Sequence, residues 1–152
     1  MSTVITVCRV PVPSAVHGLG GLLAAHAAYE EASLGGPVAE VLDRLDQACA
    51  AGRVEVFVAF DGDDALGYAS LTTDLATWSG REFGHLDCLF VRAGERGRNV
   101  GRLLVDAVRE RCRLRGLREL QWQTPVGNED AIRFYRRLGA RDATKARFTW
   151  EL

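Results

Sequence analysis

The residues best suited to chemistry lie between His85 and Leu104, in the run HLDCLFVRAGERGRNVGRLL. An apolar, strand-like stretch ends at Val91, and the chain turns through Arg96-Gly97-Arg98-Asn99-Val100-Gly101 into a segment of helical period. The first N–H groups of a helix have no internal acceptors and sit at the positive end of its dipole. Small residues there let a phosphate approach the backbone closely. Arg96, Arg98 and Arg102 would add charge-assisted bonds to phosphate oxygens. The same composition also serves where a strand simply turns into a helix. No Gly-Lys-Ser/Thr follows, which excludes a P-loop, and the absence of Gly-x-Gly-x-x-Gly disfavours a Rossmann dinucleotide site.

A second stretch begins with the strand-like Gln121-Trp122-Gln123-Thr124 and the turn Pro125-Val126-Gly127-Asn128. Asn128 is suited to cap a helix whose first turn carries Glu129 and Asp130, both favourable at that end. Tyr135, seven residues on, lies about 20° off the same helix face. Taken alone, a Phe134-Tyr135 pair reads as core aromatics with one hydroxyl at the surface.

Together the two stretches resemble the GNAT superfamily of acyl-CoA N-acyltransferases. Its signature is a strand ending Leu-x-Val, here Leu89-Phe90-Val91, then R/Q-x-x-G-x-G/A opening a helix, here Arg96 to Gly101. Asn99 replaces the first signature glycine, and asparagine tolerates left-handed backbone angles and caps helices well. The second pattern, N-x-x-A-x-x-F-Y-x-x-L-G-A, is matched at every position from Asn128 to Ala140. The likeness covers Leu86 to Ala140; the N-terminal third, where such enzymes build the acceptor site, agrees only in its order of elements.

The resemblance implies an acetyl-CoA-dependent N-acetyltransferase, acting by direct attack of a primary amine in a ternary complex, with no metal. The alternative is a non-catalytic acyl-CoA-binding or sensing module of the same fold. The pantetheine arm would pair with Leu89, Phe90 and Val91, where a backbone N–H can polarise the thioester carbonyl. The pyrophosphate would rest on Arg96, Gly97, Arg98, Asn99, Val100, Gly101 and Arg102, with Asn128 and Tyr135 also meeting the coenzyme. Tyr135 would donate to the departing thiolate. Asp87 stands where some members place the base, with His85 in reserve, although Asp87 is equally an exposed strand residue or a loop-holding acceptor. Tyr29, Glu30 and Glu31, at the end of the first helix, are candidates for receiving a cationic amine. Two glutamates at a helix end are also commonly just solvated. Asp74 and Trp78, in the loop after the third strand, are similar candidates. A homodimer is compatible with such a chain.

These residues need a frame to position them. Val4 to Arg9 reads as a strand, and Pro11 and Pro13 lead into a helix through Tyr29. The Gly35-Gly36-Pro37 break precedes a second helix, Val38 to Ala51, with an apolar face at Val38, Val41, Leu42, Leu45 and Ala48. Strands follow at Val54 to Phe60 and Leu66 to Thr73, joined by the hairpin turn Asp61-Gly62-Asp63-Asp64, and at Phe83 to Val91. A helix from Asn99 to Arg115, a strand over Leu117 to Thr124, a helix over Glu129 to Leu138 and a last strand over Ala146 to Leu152 complete the order. The expected class is α/β (α+β), a mixed, mostly antiparallel sheet of six to seven strands flanked by about four helices, in one domain over 1–152.

Composition narrows the setting. At 152 residues, 47% hydrophobic and 26% charged, the chain has the balance of one globular domain. Apolar runs are broken, as Leu19 to Ala28 is by Gly21 and His26, so no membrane span is expected. The start of the chain shows no export signal, and Cys8, Cys49, Cys88 and Cys112 form no zinc-type spacing, so reduced structural thiols in the cytoplasm are expected. The formal net charge of −1 argues against general nucleic-acid binding. A stripe of nine arginines from Arg92 to Arg118 keeps that rival in view, but no aromatic residues interleave it.

Overall fold

The computed structural model describes residues 3–152, which fall into two compact units divided between Trp122 and Gln123. The first unit holds one sheet in the order β1 (Ile5–Val10), β2 (Glu55–Asp61), β3 (Asp64–Ala76), β4 (Arg81–Val91) and β5 (Leu120–Gln121). Neighbours are antiparallel except β4 and β5, which run parallel. Helices α1 (Leu19–Tyr29) and α2 (Val38–Ala50) connect β1 to β2, and α3 (Val100–Leu114) makes the crossover from β4 to β5. The second unit contains α4 (Glu129–Arg137).

The mixed, mostly antiparallel class is as expected, but the sheet has five strands among the described residues rather than six to seven. The run 117–124 pairs only at Leu120 and Gln121, and 146–152 forms no strand, with Phe148, Trp150 and Leu152 exposed. Alternating sequence supplies β-propensity, whereas a strand exists only where a neighbouring ladder receives it. Asp74, expected in a loop, lies within the long β3 and pairs with Phe83; Trp78 is fully exposed in the turn that follows.

The sheet is covered on both faces. On one, Leu19 and Leu22 of α1 bury against Val10, Val56, Val58, Ala65, Tyr68 and Phe90. Helix α1 is apolar almost all round, as suits a helix packed between sheet and α2. Its Gly20 lets the helices touch, since a Cβ there would lie 2.7 Å from Val38 Cγ1. The other face takes α3, whose buried Val100, Leu104, Val105, Val108 and Cys112 repeat at helical spacing. Burying a side chain of this kind contributes roughly 1.5–3 kcal/mol. Helix α3 ends where expected: Gly116 adopts φ +74° and Leu117 N–H bonds back to Cys112 C=O at 2.9 Å.

Two irregularities shape β4. Consecutive Ser70 and Leu71 of β3 pair with Cys88 and Leu86, leaving Asp87 as an extra, bulged residue. The parallel pairing with β5 lasts only through Gly84↔Leu120 and His85↔Gln121. At Gly84 the packing is tight, because a Cβ would lie 2.9 Å from Cys112 Sγ and 3.2 Å from both Leu120 and Leu71. From Leu86 onward β4 has no β5 partner.

Glu55 ties the first unit together. Its side chain is 14% exposed and accepts bonds from Arg9 of β1 and from Arg111 and Arg115 near the end of α3. Burial alone would push its carboxyl up, but the bonds from Arg9 and Arg111 and the charges of Arg111 and Arg115 hold it below the usual range. A depressed carboxyl contributes stability above its unfolded value and loses that contribution as pH falls through the folded one. We therefore expect Glu55→Gln to lower unfolding free energy by about 2 kcal/mol at neutral pH. Denaturant titrations should show the two proteins converging below about pH 4.

Candidate active site

The end of β4 presents an unpaired edge. Arg92 N–H donates to Leu66 C=O at 2.9 Å, and main-chain direction alternates along a strand. Phe90 therefore also turns its backbone to β3, while Leu89 and Val91 turn theirs to the side where β5 has ended. The Val91 carbonyl accepts from Arg96 Nε at 3.1 Å. Gly67, opposite Val91, permits this placement: a Cβ there would lie 2.6 Å from the Phe90 carbonyl oxygen.

The loop beyond runs through a short 3-10 turn, Ala93–Glu95, before entering α3. Gly97 (φ +87°) and Asn99 (φ +68°) are both left-handed. Asparagine thus supplies the backbone angle expected of it, but its side chain makes no capping bond. Capping side chains act from extended backbone, whereas Asn99 is curled into the left-handed region. The first helical bond is Leu103 N–H to Asn99 C=O, so the amides of Val100, Gly101 and Arg102 precede the internal ladder.

The arginines divide by role. Arg98 bonds to Glu95 and to Asp61 at 3.0 Å, and Arg92 forks onto Asp64 at 2.8 and 3.1 Å. These pairs pin the loop to the β2–β3 hairpin. Arg102 lies 3.8 Å from Asp106 on the exposed face of α3. Arg96 sits over the Tyr29 ring at 4.7 Å and the Phe90 ring at 5.7 Å. The arginine stripe is thus largely matched by carboxylates, several of them brought from β2 and the hairpin.

Beneath α1 lies a polar cluster. His26 stacks on Phe90 with ring centroids 5.0 Å apart, and its Nδ1 is 2.5 Å from the Tyr68 hydroxyl. Glu30 stands 3.8 Å from His26 Nε2. Burial lowers the His26 pKa, opposed by the charges of Glu30 and Asp87. Burial, and then the neighbouring Cys88, drives the Tyr68 phenol well above its usual range. The Cys88 thiol is likewise raised by burial and by Asp87.

Tyr29, Phe90 and Arg96 are therefore brought together, Glu30 stands beside the His26 imidazole, and the charge of Asp87 also favours its protonated form. Glu31 lies past the helix end with φ +53° and is exposed. His85 contacts Thr72 Oγ1 through Nδ1 at 3.3 Å. In the second unit, Asn128 caps α4 as expected, its side-chain oxygen accepting from Ala131 N–H at 3.3 Å. There the Tyr135 ring lies 5.3 Å from that of Phe134. His26, Tyr68 and Cys88 were not singled out from sequence. The available signal was polarity out of place, one histidine in the apolar LLAAHAAY and one phenol among the small residues of LGYAS.

No group of three or more His, Cys, Asp or Glu among the described residues is arranged to hold a metal ion. No described helix is long and apolar enough to cross a membrane.

The strand edge, left-handed turn and helix start lie in the stretch that carries the first sequence pattern, and the chain matches the acetyltransferase (GNAT) family over residues 18–140. It belongs to that family. A thialysine N-epsilon-acetyltransferase from Sus scrofa is 29% identical over 85 residues, 56% of this chain and 49% of the relative. The chain thus spans about half the length of the curated relatives it matches. Among solved structures, an aminoglycoside N-acetyltransferase in complex with CoA superposes with a TM-score of 0.83 at 19% identity, covering 99% of this chain and 97% of that one. An aminoglycoside acetyltransferase from an uncultured soil metagenomic sample superposes with a TM-score of 0.82 at 18% identity, covering 97% and 96%. At these identities the structures establish the fold.

A histidine whose folded pKa is depressed contributes stability that is complete above its unfolded value and is lost as pH falls through that value to the folded one. We expect the melting temperature to fall as pH drops below about 6.5. His26→Gln should flatten that part of the profile, measured by calorimetry across the range.

Proposed function

We propose that this chain transfers an acetyl group from acetyl-CoA to a primary amine by direct attack in a ternary complex. The observation that carries the proposal is the β4 edge at Leu89 and Val91 beyond the end of β5 pairing, its Val91 carbonyl covered only by the Arg96 side chain, continuous with the amides that precede the α3 ladder. The pantetheine arm extends the sheet along that edge, with the Leu89 N–H placed to polarise the thioester carbonyl. The diphosphate rests on the turn from Arg96 to Arg102, where the free amides and helix dipole favour negative charge. Arg96 must leave the Val91 carbonyl for the arm to pair there, and its exposed guanidinium is then available to phosphate. Asn128 borders the arm from the start of α4.

The amine nitrogen attacks the carbonyl carbon, the C–N bond forms and the C–S bond breaks. Tyr135 donates a proton to the departing thiolate and is reprotonated from solvent. Asp87 serves acid–base transfer at the amine from its bulged position. Tyr29 and Glu30 border the acceptor, with Glu31 at its outer rim, and the acidic groups suit a cationic amine. The amine-bearing substrates in the relatives' names fit that class. The four free cysteines suit a reducing compartment such as the cytoplasm.

A thiol-release assay with acetyl-CoA against polyamines, amino acids, aminoglycosides and peptides should find turnover with at least one class. Coenzyme binding without thiol release from any of them would instead favour an acyl-CoA-sensing module. Tyr135→Phe should lower turnover ~10²–10⁴-fold with acetyl-CoA affinity nearly unchanged; equal turnover would remove Tyr135 from the mechanism. Acidic substitution of Arg96 and Arg98 should raise the calorimetric dissociation constant for acetyl-CoA. An unchanged constant would refute the phosphate assignment.

A further inference from the structure

We propose that His26 is a catalytic residue: its Nε2 takes the proton of the incoming ammonium, while Tyr68 holds the imidazole in the tautomer that leaves Nε2 open. The inference rests on the acetyl-transfer reading above and identifies the first proton acceptor at that site.

The hydrogen-bond chain selects the tautomer. The Tyr68 hydroxyl lies 2.5 Å from His26 Nδ1, and the Cys88 thiol donates to Asp87 Oδ2 at 3.7 Å, which leaves the sulfur able to accept the phenol proton. A phenol has one proton to give. Directed at Cys88, it leaves the phenol oxygen to accept from Nδ1–H. The Cys88 amide is engaged separately, donating to Ser70 Oγ at 3.1 Å. His26 Nε2 is then a lone pair, and the Glu30 carboxylate 3.8 Å away lies beyond hydrogen-bonding distance of it. An ammonium entering beside both groups gives one N–H to Nε2 and another to the carboxylate.

The position also fits. His26 stacks on Phe90, whose flanking residues Leu89 and Val91 carry the open strand edge. Its side chain is 15% exposed, so it is sheltered yet reachable. The groups facing it are Tyr29 and Glu30 on α1, Tyr68 on β3, Asp87 and Cys88 on β4, and the Arg96 guanidinium over Tyr29 and Phe90. Tyr68 and Cys88 are held in their protonated forms by burial. Glu30 and Asp87 supply the negative charge that steadies an imidazolium once formed. Burial keeps the resting imidazole neutral, which is the form a base requires.

The step balances simply. The ammonium gives one proton to Nε2, and the neutral amine attacks the thioester carbonyl. The C–N bond forms as the C–S bond breaks, the nitrogen's second proton passes to Asp87, and the thiolate takes one from Tyr135; His26 and Asp87 release their protons to solvent and Tyr135 regains one from it. The net products are an amide, free thiol and one proton.

The test is the pH profile of kcat/KM from about pH 5 to pH 8, using full-length protein, acetyl-CoA and the best amine from the panel. Wild type should show an acidic limb, and NMR titration of the His26 imidazole should give the same midpoint. His26→Gln should lose the limb and ~10²–10⁴-fold in kcat, with its dissociation constant for acetyl-CoA unchanged. Tyr68→Phe, which retains the ring packing, should shift the limb to lower pH, because the imidazolium loses an acceptor. A His26→Gln protein that keeps wild-type turnover and its limb overturns the proposal, as does a Tyr68→Phe profile superimposable on wild type should His26→Gln fail to fold. Wild-type protein that binds acetyl-CoA but releases no thiol with any amine defeats the acetyl-transfer reading itself, and His26 catalysis falls with it.

Discussion

Parallel pairing between β4 and β5 stops after two residue pairs, and much of the site depends on that. While the strands are joined, Gly84 packs so closely against Cys112, Leu120 and Leu71 that no side chain fits without displacement. Past His85 the strands part, and the polar backbone of β4 is left facing outward on one side. An unpaired edge is ordinarily a hazard for association. Here it is short, its Val91 carbonyl is covered by Arg96, and it leads directly into the turn before α3. The opening and the anion-suited helix start are consecutive parts of one chain path.

The surrounding charges are arranged to hold that path. Arg92 and Arg98 fasten the loop to the β2–β3 hairpin, and Glu55 gathers arginines from β1 and the end of α3. Exposed pairs of this kind contribute little individually, but Glu55 is shielded and shared, so its loss would leave several cations uncompensated. The bulge at Asp87 has a different effect. It inserts one residue on β4 and restores pairing beyond it, so that Cys88 and Phe90 lie beside Ser70 and Tyr68 under α1. Without it, the period-two alternation would send those side chains to the opposite face.

Much of this was legible in the residues. Glycine and asparagine before a helical period, a capping asparagine followed by two acids, and alternating apolar strands are local signals, and local backbone preference decides them. The Asn99 angle, the Asn128 cap and the Gly116 helix stop follow from such preferences. The family patterns lie in the same stretches, where spacing along one chain is the information.

What the sequence could not decide is which distant groups meet. It did not place His26 on Phe90, Tyr68 on His26 or Arg96 over Tyr29, because each contact joins separate elements through the packing of α1 on the sheet. Nor did it show that the arginine stripe is matched by Glu55, Asp61 and Asp64, which are far away in the chain. The apparent strands at 117–124 and 146–152 differ from expectation for the same reason: propensity belongs to a segment, but pairing needs a neighbour. Local conformation is set by short-range sterics and hydrogen bonding, whereas the electrostatic character of His26 is set by burial and by partners that only the folded chain assembles.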